Sequence, residues 1–348
     1  MATMAPGKDN LYQVAFVERP QQLSDTFNRP ITYIRISVTD RCNLRCVYCM
    51  PEQGMPWLAR QDILTYEEIA QIIRAAAELG VRRVRITGGE PLIRRDIPRL
   101  VAMLAAIPGI EDIALSTNAL LLAEQADALK EAGLTRVNVS LDTLKPERFR
   151  DIARRDGLEK VLAGLEAAER CGFHPIKINC VVMRGKNDDE LADLARMTIE
   201  RPWHVRFIEI MPLEGSVEDQ TAWYMPADEI LDRVRSIADL EPTEGPTGNG
   251  PARYYRFPQG RGTVGVISPL SHNYCDRCNR VRLTADGQLR LCLFGDNQID
   301  LRTPLRRGAT IEDLQRIFRR AMRIKPERHH LQPGQTSAAL IALSQTGG

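Results

Sequence analysis

Residues 37–51 read Ser37-Val38-Thr39-Asp40-Arg41-Cys42-Asn43-Leu44-Arg45-Cys46-Val47-Tyr48-Cys49-Met50-Pro51. Three cysteines with the spacing Cys-x3-Cys-x2-Cys directly follow a short β-like run. Three thiolates gathered in one loop can hold three irons of a 4Fe–4S cube. No fourth cysteine follows nearby, so the fourth iron is left open to a small molecule. A structural cluster or structural zinc would normally be closed by a fourth ligand. A zinc site or a loop of free thiols is the plainer alternative, and Cys-x2-Cys alone would leave it standing. The three-cysteine spacing, Tyr48 before the last cysteine and the strand in front weigh against it.

Outward from this loop, short strand-like runs alternate with helical ones. The strands fall at 31–38, 82–87, 111–117, 135–141, 175–183 and 203–210, and the helices at 65–79, 95–106, 120–132, 146–171 in two pieces, and 187–200. Such alternation predicts βαβ units and a parallel sheet. Six units are too few for an eight-stranded barrel, so the expected fold is α/β: a partial, open TIM-type barrel over residues 30–240, with an irregular arm over 1–29 and a C-terminal region, 241–348, that carries a second cysteine group. Met225–Ile237 read as a further helix just before that region, and 241–262, rich in Pro and Gly, as a linker or loop.

Alternate residues of a strand share a face. Ile34, Ile36 and Val38 oppose Arg35 and Ser37, and Val84 and Ile86 oppose Arg85 and Thr87. Ile113, Leu115 and Thr117 oppose Ala114 and Ser116; Val137, Val139 and Leu141 oppose Asn138, Ser140 and Asp142; Ile176, Ile178, Cys180 and Val182 oppose Lys177 and Asn179. Parallel strands buried on both sides usually read as continuous apolar runs. Here one face is apolar and suits helices, while the other is polar and cationic and suits a lumen for a polar, anionic ligand. An antiparallel sheet with one wet face is the alternative, and the intervening helices weigh against it. Val205 to Met211 do not sort into faces.

Thr87-Gly88-Gly89-Glu90-Pro91 follows the second strand. Its glycines let a backbone approach a ligand, and the Glu90 carboxylate can meet an ammonium. Far along the chain come Cys275-x2-Cys278 and Cys292, with Asp286-Gly287 between two alternating runs. Asp-Gly predicts a hairpin that folds Cys292 back towards Cys278. A zinc site of these three cysteines with His272 is the alternative. Arg280 and Arg282 share one hairpin face and would point into the same cavity as Arg35, Arg85 and Lys177; several fixed cations suit a triphosphate. No Gly-x4-Gly-Lys-Ser/Thr loop occurs, so a nucleotide is bound without a P-loop. Cys171 and Cys180 fall in a helix and a strand and read as core packing.

Lys+Arg is 47 and Asp+Glu 45, a balance that gives no ground to expect nucleic acid. Nothing reads as a signal peptide or membrane span; in the uncharged stretch 331–348 the apolar part, Ala338–Leu343, is far too short. Six of eight cysteines in two tight groups suit metal ligation over disulfides and a reducing cytoplasm.

The 37–51 stretch, with Gly-Gly-Glu-Pro one βα unit later, resembles the signature of radical S-adenosylmethionine (SAM) enzymes. The longer string and the second cysteine group resemble the GTP 3′,8-cyclase (MoaA) family of molybdenum cofactor biosynthesis, over essentially residues 30–348. The resemblance implies that Cys42, Cys46 and Cys49 hold a 4Fe–4S cluster that binds and reduces SAM, yielding methionine and a 5′-deoxyadenosyl radical. That radical takes the 3′ hydrogen of GTP, and the carbon radical attacks C8 of guanine, leading to (8S)-3′,8-cyclo-7,8-dihydroguanosine 5′-triphosphate. It implies a second 4Fe–4S cluster on Cys275, Cys278 and Cys292, with its open iron facing GTP. Tyr48, Gly89, Ser140 and Met211 would contact SAM, with Gly-Gly-Glu-Pro holding its amino group. Arg35, Arg85, Ser116, Lys177 and Arg280-Val281-Arg282 would contact GTP, and the Gly347-Gly348 tail would enter the active site. It further implies an external electron donor, a downstream molybdenum cofactor biosynthesis enzyme and a homodimer. A radical SAM enzyme that modifies a peptide, using the second cluster for electron transfer, and a non-catalytic iron–sulfur or zinc protein are the other readings.

Overall fold

The computed structural model of the protein describes residues 22–211, 220–248, 250–332 and 335. Most of the expected arm and the Gly347-Gly348 tail lie outside the described residues. The first half alternates as the periodicity predicts: β1 (Tyr33–Ser37), α1 (Tyr66–Glu78), β2 (Arg83–Thr87), α2 (Ile97–Ala105), β3 (Asp112–Thr117), α3 (Leu122–Glu131), β4 (Arg136–Ser140), α4 (Pro146–Ala153), α5 (Leu158–Arg170), β5 (Ile176–Val182), α6 (Leu191–Glu200) and β6 (His204–Glu209). The break between α4 and α5 falls where Arg154 and Gly157 both take positive φ, a conformation that no helix continues through. Thr65 and Glu68 form a capping box at the start of α1, the sequence device that satisfies two otherwise unpaired amides.

The second half holds α7 (Ala227–Arg235), β7 (Glu241–Thr243), β8 (Arg253–Arg256), β9 (Thr263–Ile267), β10 (Arg280–Leu283), β11 (Gln288–Arg290), β12 (Gln298–Asp300), α8 (Arg302–Arg306) and α9 (Ile311–Met322). All twelve strands form one sheet in the order β12-β11-β10-β1-β2-β3-β4-β5-β6-β9-β8-β7. From β10 through β1–β6 to β9 every neighbouring pair is parallel. The sheet is open: among the described residues no pairing joins β12 to β7. Strands from beyond residue 240 therefore extend both ends of the sheet. The stretch 241–262, expected as a linker, supplies β7 and β8 at one edge. Pro242 sits in the outermost strand, β7, where a missing N–H costs no ladder bond. The Asp286-Gly287 hairpin is present, with Gly287 at φ +85° between β10 and β11.

The apolar strand faces pack under the helices in one continuous core: Ile34, Ile36, Val84, Ile86, Leu115, Val139, Ile178 and Val182 meet Ile69, Ile72, Leu100, Leu129, Leu165 and Leu194. Each such side chain contributes about 1.5–3 kcal/mol on burial, so a one-residue slip, which would turn a strand's whole set to the other face, is strongly disfavoured. The opposite face is mostly withdrawn from water, with Arg35, Ser116 and Asn179 half-buried and only Ser140, at the end of β4, exposed among the residues expected there. Arg85 is 5 % exposed, Lys177 and Arg206 2 % and Asn138 1 %. A parallel sheet with an enclosed polar face replaces the alternative of an antiparallel sheet facing solvent. Among the described residues no helix is long and apolar enough to cross a membrane.

Candidate active site

One cavity opens at the C-terminal ends of the parallel strands. Cys42, Cys46 and Cys49 line it together with Tyr48, Gly89, Ser116, Ser140 and Met211, so all four residues assigned to SAM stand around the first cysteine group. The cysteine loop is held by backbone bonds on two sides. Gly89 N–H donates to Thr39 O and Glu90 N–H to Arg41 O, each at 2.7 Å, while Arg45 N–H reaches Ala153 O and Val47 N–H reaches Ile152 O, each at 2.9 Å. A Cβ at Gly89 would lie 2.1 Å from Arg41 O and one at Gly88 2.6 Å from Thr39 O. The glycines thus let the motif press against the cysteine loop itself.

Two carboxylates are buried beside this cavity. Glu90 accepts from Leu92 N–H at 3.0 Å, Thr117 Oγ1 at 2.7 Å and Asn118 N–H at 2.7 Å. Both of its oxygens are engaged, so the carboxylate that the sequence offers to an ammonium orders the neighbouring loop. Desolvation raises it to about 7 against these donors. Asp142 accepts from Tyr48 Oη and Val181 N–H, each at 2.8 Å, and desolvation raises it to about 6. Burial also pushes Cys42 up to about 11, and burial, Asp142 and the other two thiols push Cys46 well above its ordinary value. Three crowded thiols, two of them resisting ionisation, fit a cationic iron–sulfur partner, which would supply the missing positive charge.

Below this cavity the enclosed strand face carries the cations. In register stand Arg282, Arg35, Arg85, Ala114 and Arg136 across five strands, then Ser116, Asn138, Lys177 and His204, then Ser140, Asn179 and Arg206. Arg136 is balanced by Asp112, whose Oδ1 lies 2.8 Å from its Nε. Arg206 donates to Asn138 and Asn179 at 2.9 and 2.5 Å. Desolvation and neighbouring guanidiniums draw Arg35 and Arg85 down to about 9, still charged at neutral pH. Desolvation, then Arg206 and Arg136, draw Lys177 to about 6, and its Nζ donates to Thr247 O at 2.7 Å. Burying like charges together costs free energy that an anion can recover.

The second cysteine group lies at the other end of the same strands. Cys275, Cys278 and Cys292 line a cavity with Arg280, Val281, Arg282, Phe294 and His329. Because β10 runs parallel to β1 with Arg280 beside Tyr33, Cys278 lies before the strand pair and Cys42 after it. At ~3.3 Å per residue the two groups stand roughly 20 Å apart along the strands. Buried cations bolt this end together: Arg29 donates to Cys275 O at 2.8 Å, Lys325 to Leu291 O at 2.5 Å and Arg280 O at 3.2 Å, and Arg290 to Gly295 O at 2.7 Å. Burial works to raise Cys278, but Lys325 and Arg280 outweigh it and hold the thiol below its ordinary value. Cationic surroundings suit thiolate ligands.

His272 does not join this group. It is exposed and pairs with Asp228 at 3.1 Å, and His329 takes the place at the cavity. Among the described residues no cluster of His, Cys, Asp or Glu is gathered tightly enough for a lone metal ion. Cys180 is in the core as expected, while Cys171 sits half-buried at the end of α5, 3.0 Å from Asp127. Sequence reasoning missed Arg136, His204 and Arg206 on the cationic face. The alternation that could have found Arg206 is broken by Glu209 on the helix side, where it accepts from Ala227 N–H at 2.8 Å and Leu270 N–H at 3.0 Å.

Residues 36–198 match the Radical SAM superfamily and residues 203–331 match Molybdenum Cofactor Synthesis C. The chain is 51 % identical over 326 residues to the GTP 3′,8-cyclase of Moorella thermoacetica, covering 94 % of this chain and 100 % of that one. It is 49 % identical over 327 residues to the GTP 3′,8-cyclase of Pelotomaculum thermopropionicum, with the same coverage. Among solved structures, Streptococcus suis SuiB bound to S-adenosylmethionine shares the fold at a TM-score of 0.58 and 15 % identity, over 82 % of this chain and 68 % of that one. By its sequence relatives and its two matched regions, the chain belongs to the GTP 3′,8-cyclase family of radical SAM enzymes.

Proposed function

We infer that the protein cyclises GTP to the 3′,8-cyclo nucleotide, the first step of molybdenum cofactor biosynthesis. The observation that carries this reading is the placement of two three-cysteine groups at opposite ends of one buried cationic strand face. The six βα units act as a partial barrel whose lumen is that face. Cys42, Cys46 and Cys49 would hold a 4Fe–4S cluster, which would supply the electron for SAM cleavage, and Cys275, Cys278 and Cys292 would hold a second cluster on the GTP side. The chain's own part is to bind, orient and exclude water. Tyr48, Gly89, Ser140 and Met211 surround SAM. Arg35, Arg85, Lys177, Arg280 and Arg282 neutralise the triphosphate, with Ser116 and Val281 as neighbouring contacts. Holding the 3′ hydrogen within reach of the radical is a positioning task, where small errors cost large factors in rate. An external donor supplies electrons, and a downstream enzyme of the pathway takes the product. Gly347 and Gly348 lie outside the described residues, and their assignment to the active site rests on the family resemblance alone.

So many buried cations disfavour a peptide as substrate, because an extended chain offers few charges to offset them. The test is anaerobic reduction of the reconstituted protein with SAM and GTP, followed by chromatography. The cyclised nucleotide should form with 5′-deoxyadenosine; its absence from a protein that cleaves SAM would reject GTP as substrate.

A further inference from the structure

Tyr33 opens β1 on the same face as Arg35 and Ser37, beside Arg280 of β10. It is 2 % exposed, and its hydroxyl is buried without a hydrogen-bond partner. An unpaired buried hydroxyl ordinarily costs about 1–3 kcal/mol. Its surroundings are cationic. The Arg85 guanidinium lies 5.7 Å and the Arg280 guanidinium 5.8 Å from its ring centroid, and Arg280 is also 5.6 Å from the Tyr274 ring. Arg280 is thereby flanked by two aromatic rings.

We propose that Tyr33 is a substrate-binding residue whose phenol donates a hydrogen bond to the triphosphate while its ring aims Arg85 and Arg280 at the same anion. The inference rests on the reading of the lumen as the nucleotide site. A phenol is an uncharged donor, so it adds a contact to phosphate without adding to the repulsion among the guanidiniums. Cation–π attraction holds each guanidinium against the ring face while leaving its N–H groups in their own plane to donate. The phenol also feels this field: burial would raise its pKa, but Arg85, Arg35, Arg280 and Arg136 together draw it below the ordinary tyrosine value.

The test uses reconstituted holoenzyme carrying Tyr33→Phe or Tyr33→Leu, with calorimetric affinities for GTP, guanosine and SAM. Tyr33→Phe should weaken GTP about tenfold or more, the scale of one hydrogen bond to a charged group, and leave guanosine and SAM unchanged. Tyr33→Leu should weaken GTP further, since the ring is lost as well. Iron content and SAM affinity report the integrity of each variant. If the leucine variant fails to assemble, the phenylalanine variant, which keeps the ring, decides. Unchanged GTP affinity in Tyr33→Phe overturns the role of Tyr33, and so does an equal loss for guanosine. If the parent protein does not prefer GTP to guanosine, the lumen reading itself fails.

Discussion

The two ends of the lumen are electrostatic opposites. Around the first cysteine group stand the carboxylates Glu90 and Asp142, both raised by desolvation. Along the strands towards the second group stand Arg35, Arg85 and Lys177, all lowered by desolvation. Each end holds charges that its own surroundings penalise, and on the proposed reading each would be relieved by a ligand of the opposite sign. SAM carries a sulfonium and an ammonium; GTP carries a triphosphate. One enclosed face can thus sort two ligands by charge before any shape is matched.

Replacing cysteines gives the largest expected contrast. With Cys42, Cys46 and Cys49 changed to serine, no 5′-deoxyadenosine should form, with or without GTP. With Cys275, Cys278 and Cys292 changed, reduction should still cleave SAM while cyclisation fails. Chromatography of both products from the same samples decides. Loss of SAM cleavage in the second set, with the first cluster intact, would show that the two ends are not independent.

Arginine replacements should discriminate next. Arg280→Ala or Arg282→Ala should weaken GTP by about 1.5–3 kcal/mol, the worth of a charge-assisted bond, and SAM far less. Binding calorimetry measures both, and equal losses would point to a damaged fold.

The carboxylate end should show in stability. Between the ordinary glutamate range and about 7, folded Glu90 keeps a proton that the unfolded chain has lost. Its contribution is therefore fully present at low pH and declines as pH rises through 7. Glu90→Gln should flatten that decline, by a few kcal/mol at most, because each pH unit between the folded and unfolded midpoints is worth about 1.36 kcal/mol. Denaturant midpoints across this window check it; an unchanged slope assigns the decline elsewhere.

Proton linkage is the smallest effect and the sharpest on sign. Lys177, near 6 in the free protein, should take up a proton when a triphosphate arrives at pH 8. SAM binding near pH 6–7 should instead release protons from Glu90 and Asp142. Calorimetry in buffers of different ionisation enthalpy reads both, and uptake in both cases would break the contrast between the ends.

Much of the site is legible in the sequence because strand alternation is a local signal. Period two alone places Arg35, Arg85, Ser116 and Lys177 on one face. It cannot pair β10 with β1, because nothing near Arg280 encodes a partner so far back in the chain. Thr263–Ile267 escapes sequence reading for a related reason: a short apolar run beside a Gly- and Pro-rich stretch becomes a strand only when β6 offers an edge. Glu209 hides the sixth strand's faces by putting a carboxylate among helix-side residues, a choice explained only by the α7 and 268–271 amides that it satisfies.

That distant pairing has a consequence for how the protein is made. Arg29 and Cys275 are bonded across 246 positions of chain, and β1 meets β10 only over a similar span. During synthesis at ~5–20 residues per second, the outer edge of β1 stays bare for on the order of tens of seconds. A bare parallel edge is a template for wrong partners. The nascent chain therefore passes through a stage in which its first three cysteines are already exposed to the cell while the strand that shields their sheet has yet to leave the ribosome.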